Sequence, residues 1–377
     1  MLRFCRWGLF VLFLLAATCF SGAEKKKSNN QGHTWNFAVS GDSRNCGDIV
    51  MPAIAADATK NSAVFYLHLG DLRAIFAPDE DYLHAPEHRR QPVDINQYLT
   101  NAWDDYIQNQ ISWFGSMPVY VGIGNHEVIK PKTRADFLAQ FSQWLDAPVL
   151  QKQRLADNPK DDKFKAYYHW IQGGVDFVYL DNATPDQFEP GQVAWFEGVL
   201  KRASANRKVR AVVVGMHAAL PDSLAAGHSM SDYPAGLQSG RQVYTDLLKF
   251  NKQTKKRVYI LASHSHFYMS GIFDSDYWRV NGGVLPGWII GTGGAMRYPL
   301  PPQASRAQEA KQKEYGYLLA TVHPDGTIDF NFHEIKRSDV PPAVAQKYTP
   351  EFTDYCFNEN TDFNPHPPAA TNPAAHE

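Results

Sequence analysis

Five apolar runs in this 377-residue chain end the same way, and that shared ending constrains the fold more than any other feature. The runs are Thr34–Ser40, Ala63–Leu69, Pro118–Ile123, Val209–Val214 and Arg257–Ala262. They are short and rich in Val, Phe, Tyr and Ile, and read as buried strands. Each is followed at once by side chains that can bind a metal. These are Gly41-Asp42, Gly70-Asp71, Gly124-Asn125-His126-Glu127, Gly215-Met216-His217 and Ser263-His264-Ser265-His266. In open α/β sheets the carboxyl ends of strands line the ligand crevice, so the pattern predicts that these groups converge. Burying so many polar groups without partners would be expensive, and a bound cation gives them a common one.

The segments between the runs carry helical spacing at 48–60, 94–115, 133–146, 190–204 and 238–251. In 94–115 the apolar face is Trp103, Tyr106, Ile107 and Trp113. Tyr167–Ile171 and Val175–Leu180 read as a hairpin turned at Gly173-Gly174. Further strands are expected at 267–273, 287–291, 315–322 and 328–335, the last two joined at Pro324-Asp325-Gly326. Early alternation of strand and helix predicts a mixed α/β domain over 34–335. The polar stretch 74–93 reads as an inserted loop that shapes access to the second motif. Residues 336–377 become rich in Pro and Asn and read as an extended tail.

The chain opens with Arg3 and Arg6, an apolar run from Trp7 to Phe20, and Ser21-Gly22-Ala23 before a Lys-rich stretch. This is the order of a secretory signal, with cleavage expected after Ala23 and residues 24–33 serving as a linker. The run is short for a bilayer span. An uncleaved anchor and lipid attachment at Cys19 are the alternatives, and the expected location is periplasmic or secreted. Removing 1–23 removes Arg3 and Arg6 and no acid, taking the formal charge from −2 to −4. That balance, with no basic stripe, argues against duplex nucleic acid as a partner. Cys46 and Cys356 remain beyond the signal, and an even pair in an exported chain suggests a disulfide, with two free thiols as the alternative.

Carboxylate, amide and imidazole together suit Mn, Fe or Zn. Two ions need a bridging carboxylate, and Asp71 is the natural one; such a pair clamps both oxygens of a phosphoryl transfer. The five blocks, in this order and these strand contexts, resemble those of the calcineurin-like metallophosphoesterases, a superfamily that includes the purple acid phosphatases. The resemblance covers about residues 34–335. It implies an α/β fold with a central two-sheet β-sandwich flanked by helices, in four layers. It also implies roles. Asp42 and His266 would bind a first ion, and Asn125, His217 and His264 a second, with Asp71 between them. His126 would protonate the leaving oxygen or steady the phosphate, while a metal-bound hydroxide attacks phosphorus.

Two positions depart from the family pattern. Where most members carry a ligand two residues after the first Asp, this chain has Arg44, which cannot bind a metal as a cation. Water in the ligand's place, a weakened first site, a phosphate contact by the guanidinium and a solvent-facing side chain are all open readings. Where purple acid phosphatases carry a tyrosinate three residues after the second Asp, this chain has Ala74, so no purple iron centre is expected.

Arg73 and His228 are further candidates for contacting substrate. His68 and His169 read as structural, and His84 and His88 as solvated. Gly291-Thr292-Gly293-Gly294 reads as a sharp turn more readily than as a phosphate cradle. The expected activity is hydrolysis of a small phosphate ester outside the cytoplasm, with monoesters slightly favoured. A phosphodiesterase and a non-catalytic binder of metal or phosphate are the alternatives; a nuclease is disfavoured by charge.

Overall fold

The computed structural model describes residues 33–183, 187–225 and 227–362. The expected signal 1–23 with Cys19, linker residues 24–32, and 363–377 of the expected tail lie outside the described residues. No helix among the described residues is long and apolar enough to cross a membrane.

The described residues form twelve strands: β1 (Trp35–Ser40), β2 (Ala63–His68), β3 (Val119–Val121), β4 (Tyr168–Gln172), β5 (Val175–Tyr179), β6 (Ala211–Gly215), β7 (Arg257–Ala262), β8 (Tyr268–Ser270), β9 (Gly287–Ile290), β10 (Glu309–Lys311), β11 (Tyr315–Val322) and β12 (Ile328–Ile335). They make two sheets, ordered β12-β11-β1-β2-β3 and β10-β8-β9-β7-β6-β5-β4. The strands that carry the five motifs are parallel to their motif-bearing neighbours: β1 with β2, β2 with β3, and β6 with β7. Their carboxyl ends therefore emerge on common edges.

Strand alternation builds the layers. Phe37 and Phe65 point from the first sheet into the second, stacked 5.1 Å apart and each meeting Phe177 edge-on at 5.1 Å. Tyr120 stacks on Trp170 at 3.8 Å in the same interior. The alternate residue Tyr66 points outward and stacks on Phe114 at 4.4 Å. That outer face is covered by helix Gly47–Lys60, which packs on β2 and β11. On the far side of the second sheet, Val178, Val212, Val214 and Ile260 pack with Phe196 of helix Pro190–Ala205 and Leu247 of helix Pro234–Thr254. The result is helix, sheet, sheet, helix. Central strands buried on both faces explain why β6 and β7 read as unbroken apolar runs. Phe177 sits at the hub of the interior, and truncating it to Ala should cost about 3–5 kcal/mol.

The Gly173-Gly174 hairpin forms as expected, with φ of +58° and +85° that favour glycine. The expected helix 133–146 is broken into Arg134–Gln140 and Ser142–Leu145, and helix Pro148–Asp157 and strand β10 carried no clear signal.

The extended-tail expectation is corrected for residues 342–358, which form helices Pro342–Tyr348 and Pro350–Asn358. Each has proline at its first helical position, where the missing N–H breaks no bond. Thr349 accepts from the Phe352 N–H, and Val344, Tyr348, Phe352 and Cys356 are buried. Cys46 and Cys356 are joined, Cα atoms 5.8 Å apart, fastening the second of these helices to the start of helix Gly47–Lys60.

Candidate metal centre

The motif loops crowd one another, which is why glycine directly precedes Asp42, Asp71 and Asn125. A Cβ on Gly70 would lie 2.5 Å from the Gly124 nitrogen, and one on Gly124 would lie 2.2 Å from Asp71 Oδ1. Asp42, Asp71 and His264 all adopt left-handed backbone, with φ of 58°, 59° and 67°. Such residues cost on the order of 1–3 kcal/mol each and persist where the surroundings hold them. Here the loops hold one another: Asp42 N–H bonds to Gly70 O at 3.0 Å, and His264 N–H to Asp42 Oδ2 at 2.7 Å.

Two donor groups form around a shared carboxylate. Asp71, His217 and His264 make one, and Asp42, Asp71 and His266 the other; within each, donor atoms lie within 4.8 Å of one another. In the first group His217 Nε2 stands 3.2 Å from Asp71 Oδ1, 2.9 Å from Asn125 Oδ1 and 3.0 Å from His264 Nδ1. Oxygens and ring nitrogens aimed at one another repel unless a cation lies among them. Asp42 Oδ1 and Asp71 Oδ2 are buried without any hydrogen-bond partner, an expensive state for carboxylate oxygens. These residues fit a divalent metal.

The imidazoles are oriented from behind. His217 Nδ1 faces Leu69 O at 3.0 Å and Ser263 Oγ at 3.1 Å, and His266 Nδ1 faces Met296 O at 2.7 Å. Each Nδ1–H donates to its carbonyl, leaving the Nε2 lone pair toward the centre. Asn182 Oδ1 accepts the His217 N–H at 3.2 Å. Glu127 holds the bridging loop: its carboxylate accepts from the N–H groups of Asp71, Leu72 and Gly124 at 2.9, 2.9 and 2.7 Å. Burial and Asp71 push Glu127 up to about 7, against the pull of those donors. Burial opposes the charge on Asp71, yet His126, His217 and Arg44 hold it well below the usual carboxylate range.

No family model and no curated protein matches the chain. Among solved structures, a purple acid phosphatase from yellow lupin (Lupinus luteus) seeds aligns over 81% of this chain with a TM-score of 0.55 and 15% identity. The chain has the calcineurin-like metallophosphoesterase fold. It spans about half of that phosphatase, 52% of its length. The structure of PhoD aligns over 80% of this chain and 72% of its own, at a TM-score of 0.49 and 14% identity.

Within this metallophosphoesterase fold, Asp42, Asp71, Asn125, His126, His217, His264 and His266 are all brought together. His126 donates from Nδ1 to Ala74 O at 2.6 Å, and its Nε2 lies 3.6 Å from Asp71 Oδ2. Burial, with Arg44 adding to it, pushes His126 down to about 4. Arg44 enters the centre, its Nη2 3.2 Å from His266 Nε2. His228 is exposed at the rim, its ring 5.2 Å from those of His264 and Tyr298.

Arg73 is corrected. Its guanidinium is fully buried and bound to Asp48, Asp81 and Asp105, the first two at 2.7 and 2.6 Å, so it does not face substrate. It anchors the loop after Asp71 because a buried guanidinium charge needs carboxylates beside it. His68 bonds Ser43 Oγ at 2.9 Å, and His169 sits between Asp157 and Asp176; both are structural, as expected. His84 and His88 are not simply solvated: their rings stack on Phe352 and Tyr82 at 4.2 and 4.1 Å. The Gly291–Gly294 run is a close crossing, since a Cβ on Gly291 would lie 2.2 Å from Ser265 O.

Four contributors escaped the sequence reading. Glu127 and Ser263 lie inside recognised motifs and were signalled by that position alone. Tyr298, stacked on His266 at 4.0 Å, carried no signal. Phe76 is 63% exposed with its ring 5.5 Å from that of His126. Its neighbour Ile75 has φ of 63°, a rare state for a β-branched residue.

Proposed function

We propose that this chain is an exported, metal-dependent phosphoesterase acting on small phosphate esters. The observation that carries the reading is the convergence of Asp71, Asn125, His217 and His264, with the His217 ring oriented from behind. A divalent ion held by these four would polarise an ester oxygen and lower the pKa of water beside it. The chain's own groups do the rest. Asn125 and the rings keep their acceptors on one point, and the buried Glu127 keeps the Asp71 loop from relaxing.

His126 meets the substrate as a neutral ring, its Nδ1 proton committed to Ala74 O. Arrival of a phosphate dianion favours the imidazolium, putting a proton at Nε2 for the leaving oxygen. That arrangement favours monoesters. Phe76 beside His126 offers an apolar surface to the leaving group, which supports an aromatic ester as test substrate. Export is supported by the signal-like start and by the Cys46–Cys356 disulfide.

A phosphodiesterase remains the second reading, because the same donor set serves both ester classes. The test is hydrolysis of an aromatic phosphate monoester and its diester by residues 24–377, after chelation and re-addition of Mn, Fe or Zn singly. Metal-restored turnover with the monoester ahead is expected. Metal-loaded protein that hydrolyses neither would leave only a binding role.

A further inference from the structure

We propose that the guanidinium of Arg44 takes the place of the first metal ion, so that the chain binds one ion, at Asp71, Asn125, His217 and His264. The inference rests on the phosphoesterase reading and refines it.

The argument turns on one lone pair. His266 Nδ1 is committed to Met296 O at 2.7 Å, so Nε2 is the only ring position left for a ligand bond. Arg44 Nη2 lies 3.2 Å from that Nε2 and donates to it. A Zn–N bond is about 2.0–2.1 Å and points along the same lone pair. An ion placed there would fall between the two nitrogens, in contact with a cationic group. The ring nitrogen cannot serve both.

Electrostatics agree with the geometry. Burial opposes the charge on Arg44, but Asp71, Tyr298 and Asp42 overcome it and hold the guanidinium above its usual range; Asp71 and Asp42 are the carboxylates that would face the first ion. Guanidinium stays charged at any working pH. Asp42 Oδ1 and Asp71 Oδ2, which lack hydrogen-bond partners, thus already have a fixed positive charge beside them. A further divalent ion would be added to that charge, with Asp42 and Asp71 the carboxylates that would have to offset both. Tyr298 stacks at 4.0 Å on the His266 ring that Arg44 meets.

The other group has no such intruder. Its atoms lie 2.9–3.2 Å from His217 Nε2, with no arginine or lysine side chain among them. One chain thus carries two different solutions to the same charge requirement: a metal on one side of Asp71 and an arginine on the other. The arginine is also a charge that chelators do not remove.

The test is metal content by mass spectrometry after equilibration with Mn or Zn and removal of free ion, for wild type, Arg44→His and Arg44→Ala, with thermal unfolding to confirm folding. Wild type should hold one ion per chain, and R44H two; R44A should rise above one even if histidine misplaces the loop. Two ions in wild type would overturn the proposal and leave the phosphoesterase reading standing. One ion in all three folded proteins would show that Arg44 is not what excludes the second, and would also overturn it. No ion in wild type would sink the phosphoesterase reading itself.

Discussion

The Asn125–His217–His264 side of the centre and the Asp42–His266 side share Asp71, yet they are finished differently. On the first side the His217 ring turns Nδ1 away onto the Leu69 carbonyl and the Ser263 hydroxyl and faces Asn125 Oδ1 and His264 Nδ1 with Nε2. On the second side a donor, Arg44, points in and takes the ring nitrogen. The lesson is that ligand identity alone does not make a metal site. The lone pairs must also be left free, and one residue two positions after Asp42 decides whether they are.

The comparison can be broken most sharply at the shared residue. Asp71→Asn should remove bound metal and reduce hydrolysis to the uncatalysed rate, while Asp42→Asn should keep the ion and part of the activity. Equal loss at both positions, read from kcat/KM and metal content, would erase the distinction between the two sides. His126→Gln should lower kcat by about 10²–10⁴-fold with metal content unchanged, since it removes a proton donor and no ligand. A parallel loss of metal would make His126 a structural part of the ion site.

Smaller effects sharpen the contrast. Glu127→Gln should weaken metal affinity by about 10–100-fold, because an amide cannot accept three backbone N–H groups as a carboxylate does. Away from both sides, Cys356→Ser should lower unfolding free energy by roughly 2–5 kcal/mol without changing metal content. Smallest is a pH effect at His169. Burial lowers its pKa, but Asp157 and Asp176 overcome that and raise it to about 9, above the 6.5 of a free histidine. Its stabilisation is therefore present below about pH 6.5 and lost as pH rises through 9. Denaturant melts of wild type and His169→Gln should differ by about 3 kcal/mol at pH 6, at 1.36 kcal/mol per unit, and converge near pH 10. A constant difference across that range would refute the charged pair.

The residues that converge on the centre were legible because each sits directly after an apolar strand, a position the strand fixes without help from tertiary contacts. The sandwich was legible from the family resemblance of those motifs; strand periodicity alone gives the strands and not their stacking. Arg73 was misread because its partners Asp48, Asp81 and Asp105 lie on three separate segments, and nothing in the neighbouring sequence announces them. Arg44 was recognised as a departure, but its reach into His266, 222 positions away, is a tertiary fact. The helices at 342–358 had a local signal, Pro342 and Pro350 at their first turns, that was outweighed by the polar composition around them. Tyr298 packs on His266 through a loop of no regular pattern, so no periodicity could have found it.

The most direct measurement is a manganese titration of chelated residues 24–377, following hydrolysis of an aromatic phosphate monoester and bound metal in the same samples. Turnover should rise in proportion to occupancy and level off at one ion per chain. Occupied protein without turnover on monoester or diester would contradict the catalytic reading, and turnover that persists in fully chelated protein would contradict the metal's part in it.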